Sequence, residues 1–385
     1  MNNISGYLPY IEVYLDNLIH NISEIRKKIP RSKGIMAVVK DMAYGCGCVP
    51  ISKTFQENSI EFLAVAFAKE AFFLRKNNIN LPILVFSSGE KNDWELGFNQ
   101  NIIFSLNDLT DAILWQQSSL PIKFHINVDT GMGRLGILPS EISVIIEIIK
   151  NNPNLICDGI YTHLACADIP STNTVDIQLE KFKQVIEILR QNGINPSQIH
   201  YANSAGIMRF PLDNECTLVR PGISLYGCNP DPNQDFGIKL KSVIGLKARI
   251  IKIKQVSANT PISYCSRYIT SSDTNIATIP LGYSAGLPRH LTNKGCVLIK
   301  GRRYKIAGTV TMDYIMVDIG KKTDLKIGDE VVAIGYQGNE YIGPDEVASN
   351  CNTIGYEILC GLGKHLDRYF IKDNQIILHQ EGYFF

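Results

Sequence analysis

A lysine and a tyrosine directly follow an apolar stretch near the start of the chain. Residues 34–39 read GIMAVV, Lys40 comes next, and Tyr44 stands four positions further along. A solvated lysine at the end of a strand is the ordinary explanation of such a residue. The alternative is an amine held in a pocket, where it could act as a nucleophile or move a proton. Lys40 alone does not distinguish the two.

Other polar residues stand at or just after later apolar stretches. They are Arg134 in DTGMGRLG, His163 in THLACAD, Ser204 in NSAG, and Arg220, Gly222 and Ile223 in RPGIS. Each has an ordinary explanation by itself; the glycine-rich turn at 129–136, for example, lacks a full dinucleotide-binding fingerprint. Their shared position is informative, because the C-terminal ends of the strands of a parallel barrel meet at one rim. We therefore expect these side chains to converge on one small molecule.

The elements that must position them are short apolar strands that alternate with helices. The apolar stretches are 34–39, 61–67, 82–86, 101–106, 123–128, 156–165, 198–202 and 217–222. Segments 141–152 and 176–193 have helical periodicity, and the second ends at Gly193, where a helix would be capped. Strands in this rhythm predict parallel β/α units. An open doubly wound sheet is the alternative, and the number of stretches favours a closed (β/α)8 TIM barrel.

The pattern of predicted secondary structure changes after residue 240. Strand-like stretches separated by glycine turns predict a mainly-β domain, and residues 343–360 predict one helix within it. We expect a barrel over residues 12–240 and a β-domain over 241–385, joined by residues 1–11.

Composition excludes several classes of function. Of the 385 residues, 45% are hydrophobic and 19% charged, and the net charge is +1, which is typical of a folded soluble protein. No charge run suggests nucleic-acid binding, and no segment is apolar enough for a membrane span or a signal peptide. A cytoplasmic location follows. Cys46 and Cys48 form a weak C-x-C metal motif among ten cysteines, and we expect no metal site.

The chemistry of the predicted rim suits pyridoxal 5'-phosphate. That cofactor needs a lysine for its Schiff base, donors for its phosphate and a partner for its pyridine nitrogen. Lys40 supplies the amine. The Ser204 hydroxyl and the backbone N–H groups at Gly222 and Ile223 can bind a phosphate. Arg220 could face the ring nitrogen, and His163 could lie against the ring.

These residues stand in motifs that resemble the alanine racemase family over essentially the whole chain. The motifs are KDMAYGCG (40–47), DTGMGRLG (129–136), THLACAD (162–168), HYANSAG (200–206), RPGISLYG (220–227), ISYCSRY (262–268), LGYSAGLPR (281–289), MDYIMVDIG (312–320) and NTIGYE (352–357). The order is that of the family. The resemblance implies a fold type III pyridoxal-phosphate enzyme that interconverts L- and D-alanine and supplies D-amino acid for peptidoglycan.

The resemblance also implies site residues beyond the barrel. Lys40 and Tyr264 would be the two bases, on the D- and L-isomer faces, with Tyr264 supplied by the second subunit of a homodimer. A tyrosine needs a cationic neighbour to act as a base near neutral pH, and His163 is one candidate. Further assigned residues are Tyr44 and Tyr356 at the phosphate, Tyr283 at the substrate gate, and Arg134 and the Met312 N–H at the substrate carboxylate.

Four positions depart from the family pattern. Asn127 replaces a lysine that is often carbamylated, so a chloride ion near Asn127 and Arg134 could supply the missing negative charge. Thr309, Ala285 and Cys46 replace an arginine, an aspartate and a histidine. A wider entrance at Thr309 would allow broad specificity, or serine or a basic amino acid as substrate. A decarboxylase of basic amino acids would carry motifs that this chain lacks, and a non-catalytic cofactor-binding protein would lack the β-domain.

Overall fold

The computed structural model describes residues 6–169, 172–231 and 234–382. Strand β1 (Tyr10–Tyr14) precedes a sheet of eight parallel strands. These are β2 (Gly34–Val38), β3 (Phe62–Val65), β4 (Ile83–Val85), β5 (Ile102–Leu106), β6 (Ile122–Asn127), β7 (Leu155–Tyr161), β8 (Gln198–His200) and β9 (Leu218–Val219). Each apolar stretch identified in the sequence overlaps one of them.

The sheet closes into a barrel. Its order is β8-β7-β6-β5-β4-β3-β2-β9, so the last strand pairs with the first. The N–H groups of Thr217 and Arg220 each donate at 2.8 Å to the carbonyls of Ile199 and Ala202, which joins the β9 segment to the β8 segment. The predicted eight-stranded barrel is therefore confirmed, and the open-sheet alternative is wrong.

Helices surround the barrel and connect its strands. They are α1 (Leu15–Lys28), α2 (Cys48–Glu57), α3 (Ala68–Lys76), α4 (Lys91–Gly97), α5 (Leu109–Trp115), α6 (Ile142–Asn151), α7 (Thr174–Gln191) and α8 (Ser204–Arg209). The two helices expected from periodicity are α6 and α7. Gly193 follows α7 with φ at +78°, and its N–H donates to the carbonyl of Arg190, as expected of a C-terminal cap. None of the helices in the described ranges is long and apolar enough to cross a membrane.

The C-terminal part is mainly β, as predicted. Its strands are β10 (Ile244–Arg249), β11 (Lys252–Val256), β12 (Pro261–Ile262), β13 (Tyr268–Ile269), β14 (Thr274–Ile279), β15 (Cys296–Ile299), β16 (Arg302–Lys305), β17 (Ile315–Asp318), β18 (Glu330–Gln337), β19 (Glu340–Ile342), β20 (Asp367–Lys372) and β21 (Gln375–Gln380). The main sheet has the order β16-β15-β18-β10-β1-β20-β21, with β19 paired to β18. Smaller sheets are β11-β14-β17 and β12-β13.

The strand β1 belongs by its hydrogen bonds to this C-terminal sheet. It pairs antiparallel with β10 and parallel with β20. The chain therefore passes from the β part into the barrel through α1 and later returns. A single apolar core spans both parts and includes Phe124 of β6 and Phe370 of β20. The domain limits 12–240 and 241–385 stay predictions.

The prediction of one helix over residues 343–360 is wrong. Two helices occupy this segment, α9 (Pro344–Cys351) and α10 (Gly355–Cys360). Asn352 separates them because its φ of +60° is left-handed, and its N–H caps the carbonyls of Ala348 and Ser349. Asparagine tolerates this conformation well, so it can end a helix where glycine would otherwise be needed.

Candidate active site

The C-terminal ends of the barrel strands surround one cavity of about 540 Å³. Every residue that the sequence placed on the barrel rim lines it, together with Tyr356, a predicted phosphate contact from the C-terminal part. They are Lys40, Tyr44, Asn127, Arg134, His163, Ser204, Arg220, Gly222, Ile223 and Tyr356. The expected convergence of these side chains is therefore confirmed as geometry. Their individual roles stay predictions.

The backbone after Lys40 forms a left-handed turn, from Asp41 to Tyr44. The φ angles of these residues lie between +51° and +55°, a region that costs roughly 1–2 kcal/mol for each residue with a side chain. Hydrogen bonds hold both ends of the turn. The Glu70 carboxylate accepts from the N–H of Asp41 at 2.8 Å, and Arg368 Nε donates to the carbonyl of Gly45 at 2.9 Å. The turn brings Lys40 and Tyr44 to the same cavity.

Lys40 lies in a desolvated and positively charged environment. Its Nζ is 6.0 Å from the centre of the Phe86 ring. Burial and the nearby Arg134 guanidinium lower the pKa of the amine, against smaller opposing effects of Cys360, Glu70 and Asp41. A lowered pKa increases the fraction of neutral amine near neutral pH, and neutral amine is the form that attacks a carbonyl or accepts a proton. The solvated-lysine explanation does not describe this residue.

A cluster of hydroxyl and backbone N–H groups lies at one side of the cavity. Ser204 Oγ accepts from the N–H of Gly222 at 3.0 Å and from that of Ser224 at 3.4 Å, and it lies 3.0 Å from Ser224 Oγ. A Cβ atom on Gly222 would stand 2.4 Å from the Tyr44 hydroxyl, so no larger residue fits there. Such a group of uncharged donors around a glycine backbone is suited to a phosphate.

Arg220 lies at another side of the cavity and is only 3% exposed. Its Nη1 is 2.6 Å from His200 Nδ1, and its Nη2 donates to the carbonyl of Thr162 at 2.7 Å. The guanidinium carbon lies 5.1 Å from the centre of the Tyr161 ring. Burial lowers the pKa of Arg220 to about 10, which still leaves it cationic at neutral pH. A fixed cation therefore faces the cavity.

His163 lines the cavity as predicted, but the structure does not support a positive charge on it. Burial, together with the cations Arg220, Arg134 and Lys40, lowers the pKa of His163 to about 3. The suggestion that His163 is a cationic neighbour for Tyr264 is therefore wrong. The cause is visible only in three dimensions, because the arginines come from distant parts of the sequence.

Asn127 is buried and held by a second asparagine. Its Nδ2 donates to Asn107 Oδ1 at 2.8 Å, and Asn107 Nδ2 donates to the carbonyl of Phe86 and to Ser88 Oγ. Both side chains are neutral amides, so this pair places no negative charge beside the cavity. Arg134 lines the same cavity.

Three predicted residues do not line this cavity: Tyr264, Tyr283 and Met312. They lie on the C-terminal part and are 70%, 44% and 55% exposed, respectively. We call this group the β-domain patch. Tyr264 stands in a short 3-10 turn between Ser263 and Cys265, both with positive φ. The chain thus presents the two predicted bases at separate places.

The remaining departures from the family pattern are interior positions. Cys46, Ala285 and Thr309 are at most 2% exposed. Thr309 Oγ1 donates to the carbonyl of Tyr264 at 2.8 Å. The Thr309 side chain therefore holds the backbone of Tyr264 in place. Although threonine is shorter than the arginine of the family pattern, it does not open an entrance in the isolated chain.

Several site residues were missed in the sequence. Ser224 completes the hydroxyl cluster, Tyr161 packs against Arg220, and Cys360 lines the cavity. Ser224 is the last residue of the RPGIS motif, so the sequence did contain an indication of this site residue. Cys360 is in a helix of the C-terminal part, and no sequence signal links it to the barrel. Burial raises the pKa of its thiol to about 12, which argues against a thiolate nucleophile.

The fold and the site together define a barrel enzyme with a cofactor-sized cavity and a mainly-β domain. The family description "Alanine racemase, N-terminal domain" matches residues 13–230, and "Alanine racemase, C-terminal domain" matches residues 243–370. The chain belongs to the alanine racemase family, whose members depend on pyridoxal phosphate.

Individual relatives match over nearly the whole chain. The alanine racemase of Desulforamulus reducens is 40% identical over 369 residues, covering 94% of this chain and 98% of the relative. That of Halothermothrix orenii is 37% identical over 368 residues, covering 94% and 96%. The crystal structure of alanine racemase from Bacillus anthracis with bound L-Ala-P aligns with a TM-score of 0.91 and 34% identity, covering 98% of this chain and 99% of that one.

Proposed function

We propose that the protein is a pyridoxal-phosphate-dependent alanine racemase that supplies D-alanine for peptidoglycan. The observation that carries the proposal is the meeting of Lys40, the hydroxyl cluster and Arg220 at one cavity of about 540 Å³. Relatives that cover nearly all of the chain are named alanine racemases, which supports this assignment over a decarboxylase or a non-catalytic binding protein.

The residues present fit the cofactor. The cluster of Ser204, Ser224 and the Gly222 N–H offers donors to the phosphate, and Tyr44 closes over the glycine. Tyr356 lines the same cavity from the C-terminal part, and Ile223 contributes the next backbone N–H. We assign Lys40 Nζ as the covalent attachment and His163 as a neutral ring packed against the cofactor. When bound, pyridoxal phosphate withdraws electrons from the substrate's Cα–H bond and makes that proton acidic.

Arg220 favours proton exchange over transamination. Its pKa of about 10 keeps it a cation, and a guanidinium only donates hydrogen bonds, so a pyridine nitrogen that faces it would accept with its lone pair. The ring nitrogen therefore stays unprotonated, which weakens its pull on electrons. Charge that develops at Cα is then short-lived and is quenched by the nearest acid. Lys40 Nζ supplies that acid on one face of the substrate.

The second acid–base group is Tyr264 of another copy of the chain. Tyr264 is 70% exposed and does not line the cavity of its own chain, so it needs a neighbouring site to act on. A two-fold homodimer would bring each β-domain patch to the other chain's cavity. Lys40 then exchanges the proton of D-alanine and Tyr264 that of L-alanine, Tyr283 lines the entrance, and the Met312 N–H contacts the substrate carboxylate. Arg134 binds the substrate carboxylate.

A chloride ion beside Asn127 and Arg134 is the finer part of the proposal. Asn127 is neutral and buried, and its Nδ2 is already bound to Asn107. An anion would balance the Arg134 charge that a carbamylated lysine balances elsewhere in the family. Anomalous diffraction from crystals grown in bromide should show a peak between the two residues. A map with only water there would contradict the ion.

The experiment that tests the function is proton exchange in deuterium oxide. The purified protein with pyridoxal phosphate is incubated with each L-amino acid in turn, and Cα deuteration and the D-isomer are measured. Alanine should show both, faster than serine, lysine or arginine. A higher rate with serine or a basic amino acid would support the broad-specificity alternative. No exchange with any amino acid would overturn the enzymatic assignment.

A further inference from the structure

A chain of polar side chains crosses the barrel interior, from the cavity to its opposite end. Arg220 Nη1 lies 2.6 Å from His200 Nδ1, and His200 Nε2 lies 2.8 Å from His125 Nδ1. His125 Nε2 then lies 3.7 Å from Asp158 Oδ2. The residues come from β6, β7, β8 and the segment after β9. Lys123 Nζ, at 3.1 Å from the same carboxylate, ends the chain at a partly exposed position.

The chemistry of arginine gives this chain a direction. A guanidinium only donates hydrogen bonds, so His200 Nδ1 must accept and carries no proton. Neutral His200 is then protonated at Nε2 and donates to His125 Nδ1, which is therefore also bare. The proton of neutral His125 is left at Nε2, facing the Asp158 carboxylate. The two hydrogen bonds therefore both donate away from Arg220, and His125 Nε2 faces Asp158 Oδ2 at 3.7 Å, an ion-pair distance longer than a hydrogen bond.

The surroundings keep both imidazoles neutral and fixed. Both are fully buried, and burial lowers the pKa of each; Arg220 lowers it further, while Asp158 opposes this for His125. The Tyr161 ring stacks on His200 with its centre 4.9 Å away and the planes 7° apart. A Cβ on Gly159 would be 2.7 Å from the His125 ring, so the ring packs directly against the glycine backbone. The titratable and charged groups around the pair and its two ends are Arg220, Tyr161, Asp158, Lys123, Cys157 and Cys216.

We propose that His200 and His125 are positioning residues that fix the orientation of Arg220 through a single pair of Nε2–H tautomers. His200 binds one Nη1–H, and the carbonyls of Thr162 and Tyr201 bind Nη2. Among the described residues, the second Nη1–H and the Nε–H have no hydrogen-bond partner, and Arg220 lines the cavity. This inference adds detail to the proposed function. It rests on that function in one respect, because the acceptor that Arg220 faces would be the pyridine nitrogen of the cofactor. The tautomers themselves do not depend on the activity.

The first test is solid-state 15N NMR of the pyridoxal-phosphate-loaded, full-length protein labelled at histidine. The His125→Asn and His200→Asn variants assign the signals. Both residues should show a protonated Nε2 and a bare Nδ1 from pH 6.5 to 8.5. An Nδ1–H tautomer or an imidazolium at either position would overturn the proposal. If the tautomers are as stated but no amino acid is racemised, the proposed function fails and the positioning pair stands.

The second test separates positioning from packing by comparing two variants of His125. His125→Asn keeps an acceptor oxygen near the place of Nδ1, whereas His125→Phe fills the space without an acceptor. The dissociation constant of pyridoxal phosphate should rise at least about 5-fold in His125→Phe and less than about 2-fold in His125→Asn, as the loss of one hydrogen bond predicts. The matched control is His379→Asn, which removes an imidazole 2.9 Å from a carboxylate on an exposed strand.

Equal dissociation constants in the two His125 variants would overturn the positioning role. If His125→Phe does not fold, the NMR spectrum of His200 in His125→Asn decides. An unchanged Nε2–H signal supports the proposal, and a switch to Nδ1–H contradicts it. These outcomes are independent of whether the substrate is alanine.

Discussion

The barrel rim and the β-domain patch differ in how much of the site one chain completes. On the rim, Ser204 and Arg220 are each 3% exposed, and each has hydrogen-bond partners within the chain. In the β-domain patch, Tyr264 is 70% exposed, and its backbone carbonyl is held by Thr309. One chain therefore builds the half that would bind a cofactor. Under the proposed function, the half that would deliver the second proton comes from another copy of the chain.

Removing Lys40 should have the largest effect of any rim substitution. In Lys40→Ala, both the covalent cofactor attachment and one base are lost, and we expect racemisation to fall by more than about 10³-fold, towards the upper end of what acid–base groups contribute. The absorbance band of the lysine-bound cofactor should vanish with it. The matched control is Lys69→Ala, on exposed α3, which should behave as wild type. A Lys40→Ala protein that retained both signals would contradict the assignment.

Removing the Tyr264 hydroxyl should have the next largest effect and should leave the rim intact. Tyr264→Phe should lower kcat/KM by about 10²- to 10⁴-fold without changing cofactor absorbance. The loss must be equal in both directions, because the two enantiomers have equal free energy. Cα deuteration should disappear for L-alanine and persist for D-alanine. Tyr314→Phe, an exposed tyrosine of the same part of the chain, is the control. Persistent deuteration of L-alanine would exclude Tyr264 as a base.

The desolvation of the rim predicts a dependence of stability on pH. The pKa of His163 is about 3 in the folded chain and about 6.5 when unfolded, so below pH 6.5 only the unfolded chain takes up this proton. The free energy of unfolding should therefore fall as the pH drops from 7 to 5, by up to about 2 kcal/mol for this residue.

Urea unfolding of the cofactor-free protein at fixed concentration measures this dependence. His163→Asn should lose less stability between pH 7 and 5 than wild type, and His379→Asn, at an exposed position, should match wild type. His125 and His200 act in the same direction, because burial lowers the pKa of each. Identical pH profiles for wild type and His163→Asn would show that the rim is not desolvated as described.

The smallest predicted effect tests the support of the β-domain patch. Thr309→Val removes the hydroxyl that donates to the Tyr264 carbonyl at 2.8 Å. Loss of one such hydrogen bond is worth about 0.5–1.5 kcal/mol, so kcat/KM should fall about 2- to 10-fold with no change in cofactor affinity. Thr311→Val, whose hydroxyl is bound to Tyr314, is the control. If Thr309→Val bound pyridoxal phosphate more weakly than wild type, Thr309 would instead belong to the cofactor-binding half of the site.

The sequence predicted the rim well because the physical rule behind it is local. Five of the eight apolar stretches carry one of the named polar residues at or just after their end, and in a closed barrel all such ends meet. Lys40, Ser204 and Arg220 could be placed together for this reason. The order and spacing of the motifs also identified the residues of the β-domain patch. They did not show that the patch lies away from the cavity, because burial and exposure depend on the whole fold.

Other features depended on contacts that sequence spacing does not show. Burial lowers the pKa of His163 most, and Arg220 and Arg134, which are distant in sequence, lower it further. The left-handed turn at 41–44 contains no glycine, so its amino-acid composition did not predict this conformation. The break at Asn352 separates two helices whose joint pattern reads as one. The pair of His125 and His200 stands 75 residues apart and is visible only when β6 and β8 share a barrel.

Mixing two inactive variants tests the central claim, that the site is shared between two chains. Lys40→Ala and Tyr264→Phe proteins are unfolded together, refolded as an equimolar mixture with pyridoxal phosphate, and assayed with alanine. Half of the dimers should be mixed, and each of these has one intact site of two, so about one quarter of wild-type activity should return. A mixture as inactive as its components would contradict a site built from Lys40 of one chain and Tyr264 of another.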